Sequence, residues 1–442
     1  MGAQMHLIGF FMNSPMNHAV LSWTDPADRQ IEGLTSFAFW QDLARTLERG
    51  CFDGAFFADT PGGFDRYRES FDDSIRYGVC WPCHDPLPVL GAMLSATRHL
   101  GAAATLSTSG HHPYTAVRAL STLDAMSGGR VGWNIVSGHL RGEHRALGLD
   151  QLDHDARYDR ADEYMAACHA LWNGIAPDAV VAERSTGRFA DPAKVGVINF
   201  EGEHIRMRAI PPTLRSPQGR PVLFQAGSSG RGQQFAIDNA DVIFAIQRGA
   251  EAMRNFVDQL AVKAREMGRA DPPRVTFGIQ VIQGDSEAQA RERQQELNER
   301  VPIDGALSRM SGTLGVDFSG LDLDQPIEAM DTQASRGLMS VMASLTQDRK
   351  ATVRDAARAF GASAGMPQIV GTPESIADQL EHMWRGSGCH GFNITPATLP
   401  GSMVDFVDGV VPILQRRGLV RTAYRHTTFR DNLNDDAPET TA

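Results

Sequence analysis

The sequence predicts an α/β fold, a (β/α)8 barrel with insertions, and three observations carry that prediction. Residues 100–137, LGAAATLSTSGHHPYTAVRALSTLDAMSGGRVGWNIVS, read as strand, loop, helix, strand, and two strands joined by one crossover helix run parallel. Along the whole chain, eight short apolar runs alternate with longer stretches of helical periodicity, the pattern of a parallel sheet. Connections from a helix to the next strand are a few residues long, as at Gly50, Gly101, and Gly128 with Gly129, whereas those leaving strands one, two, four and seven are long. Length gathered at one end of a parallel barrel builds an active-site face there.

The elements follow in order. Strand one spans 6–11, and a polar stretch separates it from a helix over 36–49 with Trp40, Leu43, Ala44 and Leu47 on its buried face. Strand two, 53–58, ends at Asp59, and a helix covers 87–99. Strand three is 102–106. Pro113 opens the next helix, where its missing N–H costs nothing, and Gly128 and Gly129 stop it. Strand four is 130–136, followed by a long helix over 155–172. Strands five, six and seven span 221–226, 241–246 and 275–282, with helices from about 231 and over 251–267. A helix is expected near 287–300. The segment from about 300 to 350 shows no clear period and is expected to be an irregular lid-like insertion. Helices follow at 352–360 and 372–384, the second capped by Thr372 with Pro373 at its first position. Strand eight is 391–395 and the closing helix 403–416. Residues 1–430 are expected to form one domain, with one added hairpin within about 175–220, and the polar residues 431–442 a disordered tail.

Composition bounds the function. Of 442 residues, 42% are hydrophobic and 21% charged, ordinary values for a globular protein. The net charge of −11 and the absence of a basic run argue against nucleic acid, and no apolar window is long enough to predict a membrane span. The N-terminus reads as a strand rather than a signal peptide. Five cysteines suit a reducing compartment, so a cytoplasmic location is expected. Cys80 and Cys83 form a CxxC beside His84 without a fourth ligand at a sensible spacing, so no metal site is expected.

Polar residues gather at the predicted strand ends: Asp59, Ser107 with Thr108, Asn134 with Ser137, and the Gly227-Ser228-Ser229-Gly230 turn. A glycine–serine turn opening a helix presents free N–H groups at a positive helix end, an anion site. The GxGxxG at 386–391 stands between a helix and a strand, the reverse of the dinucleotide-binding order, so no NAD or ATP site is predicted.

Five segments, FDGAFFAD (52–59), STLDAMSGGRVGWNIVS (121–137), LDHDARYDRADEY (152–164), QAGSSGRG (225–232) and VVPILQRRGLVRTAYRHTTFRDNL (410–433), resemble the luciferase-like flavin-dependent monooxygenases. The subgroup is that of the nitrilotriacetate, dibenzothiophene-sulfone and long-chain alkane enzymes. The resemblance runs through nearly the whole chain in order. It implies a luciferase-like TIM barrel and a two-component system, in which a separate NAD(P)H:flavin reductase supplies reduced FMN. With O2 as co-substrate, a small organic substrate would be oxygenated through a C4a-(hydro)peroxyflavin. It also implies flavin contacts from Asp59, Ser107, Thr108, Asn134, Ser137, His154 and Gly227, and phosphate contacts from Ser228, Ser229 and Tyr158. A homodimer or homotetramer is expected.

Residues 137–148, SGHLRGEHRALG, depart from the relatives' pattern, which makes His139, Arg141 and His144 substrate-side candidates. Asn17, His18, Trp23, His111 and His112 join them from other loops, and His139, His112 and His18 are the candidates for catalysis. Two alternatives stay open: an F420-dependent oxidoreductase on the same barrel, and a flavin-binding protein without turnover.

Overall fold

The computed structural model describes residues 4–227, 230–326 and 351–436. The main chain forms β1 (His6–Met12), β2 (Gly54–Ala58), β3 (Gly101–Ser107), β4 (Val131–Val136), β5 (Val180–Glu183), β6 (Arg188–Ala190), β7 (Ile198–Glu201), β8 (Arg206–Ala209), β9 (Val222–Gln225), β10 (Val242–Ala245), β11 (Arg274–Gln283), β12 (Gln368–Gly371) and β13 (Gly391–Pro396). Eight of these close into a parallel ring in the order β1, β2, β3, β4, β9, β10, β11, β13, each within a few residues of its expected place. The (β/α)8 barrel is therefore present.

Strand alternation sorts the apolar residues into layers. Leu7, Phe57, Ala102, Trp133 and Leu223 face outward, where they pack with Trp40, Leu43, Leu120 and Leu171 of the surrounding helices. Ile8, Phe10, Phe56, Ala103, Phe224 and Phe244 fill the barrel. A third layer lies over the C-terminal ends of the strands, where Met12, Met16, Val20, Phe64, Cys80 and Leu140 meet Leu307, Met310 and Val353. Large side chains inside a small barrel leave no pore, so chemistry must sit between the second layer and the third.

Four features differ from the sequence expectation. The 175–220 region holds two antiparallel hairpins, β5–β6 and β7–β8, rather than one. A short extra strand, β12, adds to β11 outside the ring. Part of the segment taken as an irregular lid is a regular helix, Ile303–Leu314, buried continuously from Gly305 to Ser311. Its glycines serve close contact: a Cβ on Gly312 would lie 2.1 Å from the Phe64 ring. The remainder of that insertion, 327–350, lies outside the described residues.

The expected disordered tail is corrected as far as Asp436. Residues Phe429–Leu433 form a short helix capped by Thr428, and Arg274 pairs with Asp436 at 2.6 Å. The Phe429 ring plugs the N-terminal mouth of the barrel. A Cβ on Gly101, Gly54 or Gly132 would stand 2.3, 2.8 or 3.1 Å from it, so three neighbouring strands use glycine where the ring enters. Arg421 reaches the buried Asp53 at 2.8 Å from the same segment. Polar composition suggested disorder, but the buried contacts of one phenylalanine and one arginine order the segment.

Candidate active site

The candidate residues fall around the C-terminal ends of β1 to β4 and β9. Asn134, on β4, donates through Nδ2 to Thr105 Oγ1 of β3 at 2.9 Å, while its Oδ1 is buried without a partner. Thr108 follows β3. Its N–H donates to the Val136 carbonyl at 2.9 Å, and its Oγ1 is also buried without a partner. Buried polar atoms are nearly always satisfied, so two unmet atoms on adjacent strand ends mark where a polar ligand edge would fit. Ser107 Oγ accepts from Ser109 N–H at 3.1 Å, and the Ser137 carbonyl accepts from Ser109 Oγ at 3.3 Å. These two serines shape the rim as much as they line it.

Asp59 closes β2. It accepts from Thr60 N–H at 2.8 Å and from the Cys83 thiol at 3.4 Å. Burial pushes its carboxyl up to about 6 against those two donations, helped by the charges of Asp85 and Glu143. Glu143 was not singled out in the sequence. It is buried beside Ser107 on the short helix Arg141–Leu147 that follows β4, and burial raises its carboxyl too, against donation from Ser107. Two carboxyls of raised pKa on one rim are a common mark of a functional site. The CxxC thus contributes a thiol donor to Asp59.

On the phosphate side, Gly227 N–H donates to Gln225 Oε1, and a Cβ there would meet the Gln225 amide at 2.6 Å. Ser228 and Ser229 lie outside the described residues. Tyr158 is buried against Phe235 (5.6 Å between ring centroids), and the Arg231 guanidinium lies over its ring at 5.6 Å. Arg157 Nε and Arg231 Nη1 are buried without partners. His154 is half exposed, bonded to Asp155 at 2.7 Å and edge-on to Tyr158. Arg231 is already paired through Nη2 with Asp159 and Asp162, and the remaining unmet guanidinium N–H groups around a tyrosine and a glycine turn suit a phosphate.

The substrate-side candidates separate. His18 is 3% exposed and stacks on Phe10 at 4.1 Å, over the barrel interior. His139 keeps contact with solvent in a cleft shared with Phe64, Leu140 and Gly312. The crowd of protein atoms around it, with the charge of Arg157, lowers its pKa to about 4. His112 has a local task instead: its Nδ1 accepts from Tyr114 N–H at 3.2 Å and caps the Pro113–Met126 helix. Arg141 is occupied by Asp65 at 3.1 Å and Glu69 at 2.8 Å, tying the loop after β4 to the loop after β2. Asn17 brackets β1 by bonding Met12 N–H and the Phe10 carbonyl, Trp23 donates to the Tyr77 carbonyl, and buried His144 bonds the Leu140 carbonyl. His111 is exposed on the loop after β3.

A parallel barrel with unmet amide, hydroxyl and guanidinium groups at its C-terminal mouth defines a cofactor-binding barrel enzyme. The luciferase-like monooxygenase profile matches residues 16–391, and the chain belongs to that family. It is 38% identical over 447 aligned residues to the dibenzothiophene-sulfone monooxygenase of Rhodococcus erythropolis (strain XP), covering 99% of this chain and 98% of that protein. It is 36% identical to the dimethyl-sulfide monooxygenase of Hyphomicrobium sulfonivorans, covering 98% and 92%. Among solved structures, a long-chain alkane monooxygenase superposes with a TM-score of 0.89 at 33% identity, covering 98% of this chain and 96% of that one. The chain is a flavin-dependent monooxygenase of the two-component kind. Among the described residues no helix is long and apolar enough to cross a membrane, and no group of three or more His, Cys, Asp or Glu could hold a metal ion.

Proposed function

We propose that reduced FMN lies across the C-terminal mouth with its polar ring edge toward Asn134, Thr108, Ser107 and Ser137, and that a small organic substrate enters on the side of His18 and His139. The pair of buried, unmet atoms Asn134 Oδ1 and Thr108 Oγ1 carries this reading. When bound, the reduced flavin supplies the activation of O2 and the transfer of one oxygen atom. The chain's residues bind, orient and exclude water. Tyr158, Arg157 and Arg231, with the Gly227-Ser228-Ser229 turn, hold the phosphate, and Asp59 contacts the flavin from β2. The layer formed by Met12, Phe64, Leu140, Leu307 and Met310 covers the mouth and keeps water from the reacting atoms. Asp59, with a carboxyl near neutrality, can hold a proton at the rim.

A separate NAD(P)H:flavin reductase supplies the reduced FMN by diffusion or brief contact. Cytoplasmic residence suits the free thiols of Cys80, Cys83, Cys168 and Cys389. A homodimer or homotetramer is supported by Val181, Phe189, Val197, Ile210 and Leu214, exposed on and beside the two hairpins. The dibenzothiophene-sulfone and dimethyl-sulfide monooxygenases, matched nearly end to end, support oxygen transfer over the F420 alternative. The test is anaerobic titration with reduced FMN on the wild type and Asn134→Leu. Binding by the wild type, weakened at least about tenfold in the variant, supports the site; equal affinity of the two refutes it.

A further inference from the structure

The Ile303–Leu314 helix brings Arg309 under the apolar layer at the barrel mouth. The side chain is 4% exposed. Its Nη1 donates to the His18 carbonyl at 2.5 Å and its Nη2 faces His18 Nδ1 at 3.5 Å. Among the described residues no carboxylate lies within ion-pairing distance of it. Burial lowers its pKa, opposed only by the buried Cys80 thiol. Among the described residues the buried Arg421 is matched by Asp53 at 2.8 Å, and the buried Arg130, which also lacks a carboxylate, is met by the Leu94, Leu100 and Ser127 carbonyls and Thr97 Oγ1, whereas Arg309 has the single His18 carbonyl. An unmatched buried cation is strongly disfavoured unless an anion joins it.

His18 adds a second unmet group. Burial and the Arg309 charge hold its pKa well below 6.5, so the ring is neutral. A ring nitrogen facing a guanidinium must accept, which places the single proton on Nε2. That nitrogen is buried without a partner, with the Phe11 carbonyl near but outside hydrogen-bonding geometry. The ring stacks on Phe10, which packs against Phe56 and Phe244 inside the barrel. Cation and N–H donor therefore stand side by side where the barrel interior meets its cover.

We propose that Arg309 with His18 forms the recognition site for an oxyanion of the substrate, so that this monooxygenase takes a small organic acid, a carboxylate or sulfonate, rather than a neutral compound. This rests on the substrate side assigned under the proposed function, but its test is independent of flavin. The guanidinium fork matches two oxygens of one oxyanion, and the apolar cover excludes competing water. Arg309 determines specificity and carries no proton transfer.

The experiment is thermal unfolding of the flavin-free full chain with benzoate against benzamide, and benzenesulfonate against benzenesulfonamide, at matched ionic strength. Ligands that bind only the native state raise the midpoint. Expected is a rise with at least one anion and none with its neutral partner, corresponding to at least about tenfold tighter binding; which anion acts separates carboxylate from sulfonate. Arg309→Met should melt no lower than the wild type without ligand and lose the anion response, and Arg309→Lys should retain part of it. Absence of anion preference in the wild type, or its survival in Arg309→Met, overturns the proposal. So does a strongly destabilised or unfolded Arg309→Met, which would make the guanidinium only a tie to the His18 carbonyl. Reduced-FMN titration of the same proteins is read separately. Loss of flavin binding by the wild type would sink the flavin reading and leave the anion result standing.

Discussion

Replacing Asp59 by asparagine isolates what the chain gives up to keep a carboxyl at the end of β2. Burial moves that carboxyl from 3.8 to about 6. Between those values the native state holds a proton that the unfolded chain has released, so stability falls as pH rises through the window. The group's favourable contribution is complete below about 4 and gone above about 6. The span integrates to about 3 kcal/mol, and partial solvent contact at the rim reduces the expected effect to about 1–2 kcal/mol. Asparagine keeps an oxygen for the Thr60 N–H at 2.8 Å and never ionises. Urea unfolding of the wild type and Asp59→Asn should therefore show similar stability at pH 3.5 and an advantage of the variant of about 1–2 kcal/mol at pH 7.5. Histidines that titrate in this range are common to both proteins and cancel in the difference. A difference independent of pH, or a variant that loses ground as pH rises, would refute the buried-carboxyl account. Reduced-FMN affinity measured on the same pair should fall in the variant if Asp59 touches the flavin.

Three further outcomes are expected. Tyr158→Phe keeps the packing on Phe235 and removes one hydroxyl, so reduced-FMN binding should weaken by about 1–2 kcal/mol, and unchanged affinity in a fluorescence titration would remove Tyr158 from the phosphate site. Phe429→Ala opens a cavity where Gly54, Gly101 and Gly132 approach the ring; a loss of about 3–5 kcal/mol in urea unfolding is expected, and a midpoint equal to the wild type would mean that the C-terminal helix is no plug. The isolated chain with free FMN should leave NADH unoxidised, since no dinucleotide-binding turn joins a strand to a helix, and added flavin reductase should restore flux. Steady NADH turnover by the chain alone contradicts this.

The sequence by itself determined the barrel. Its eight strands and most helices were legible because each is written locally: apolar runs of strand length, faces such as Trp40, Leu43 and Leu47 at helical spacing, and stops such as Gly128 and Gly129. The cofactor side was legible for the same reason, since Asp59, Asn134 and Gly227 stand at strand ends and the motifs around them are contiguous. Tertiary structure alone decided what distant residues do to one another. Arg309 meets His18 across 291 positions, Phe429 enters the barrel among glycines of three strands, and Glu143 is drawn beside Ser107. It also reassigned residues that looked chemical in isolation, His112 to a helix cap and Arg141 to a pair of carboxylates. Local periodicity reports which face of an element is buried. It carries no trace of which charge is left unmatched once the faces meet, because that depends on neighbours the chain supplies from hundreds of residues away.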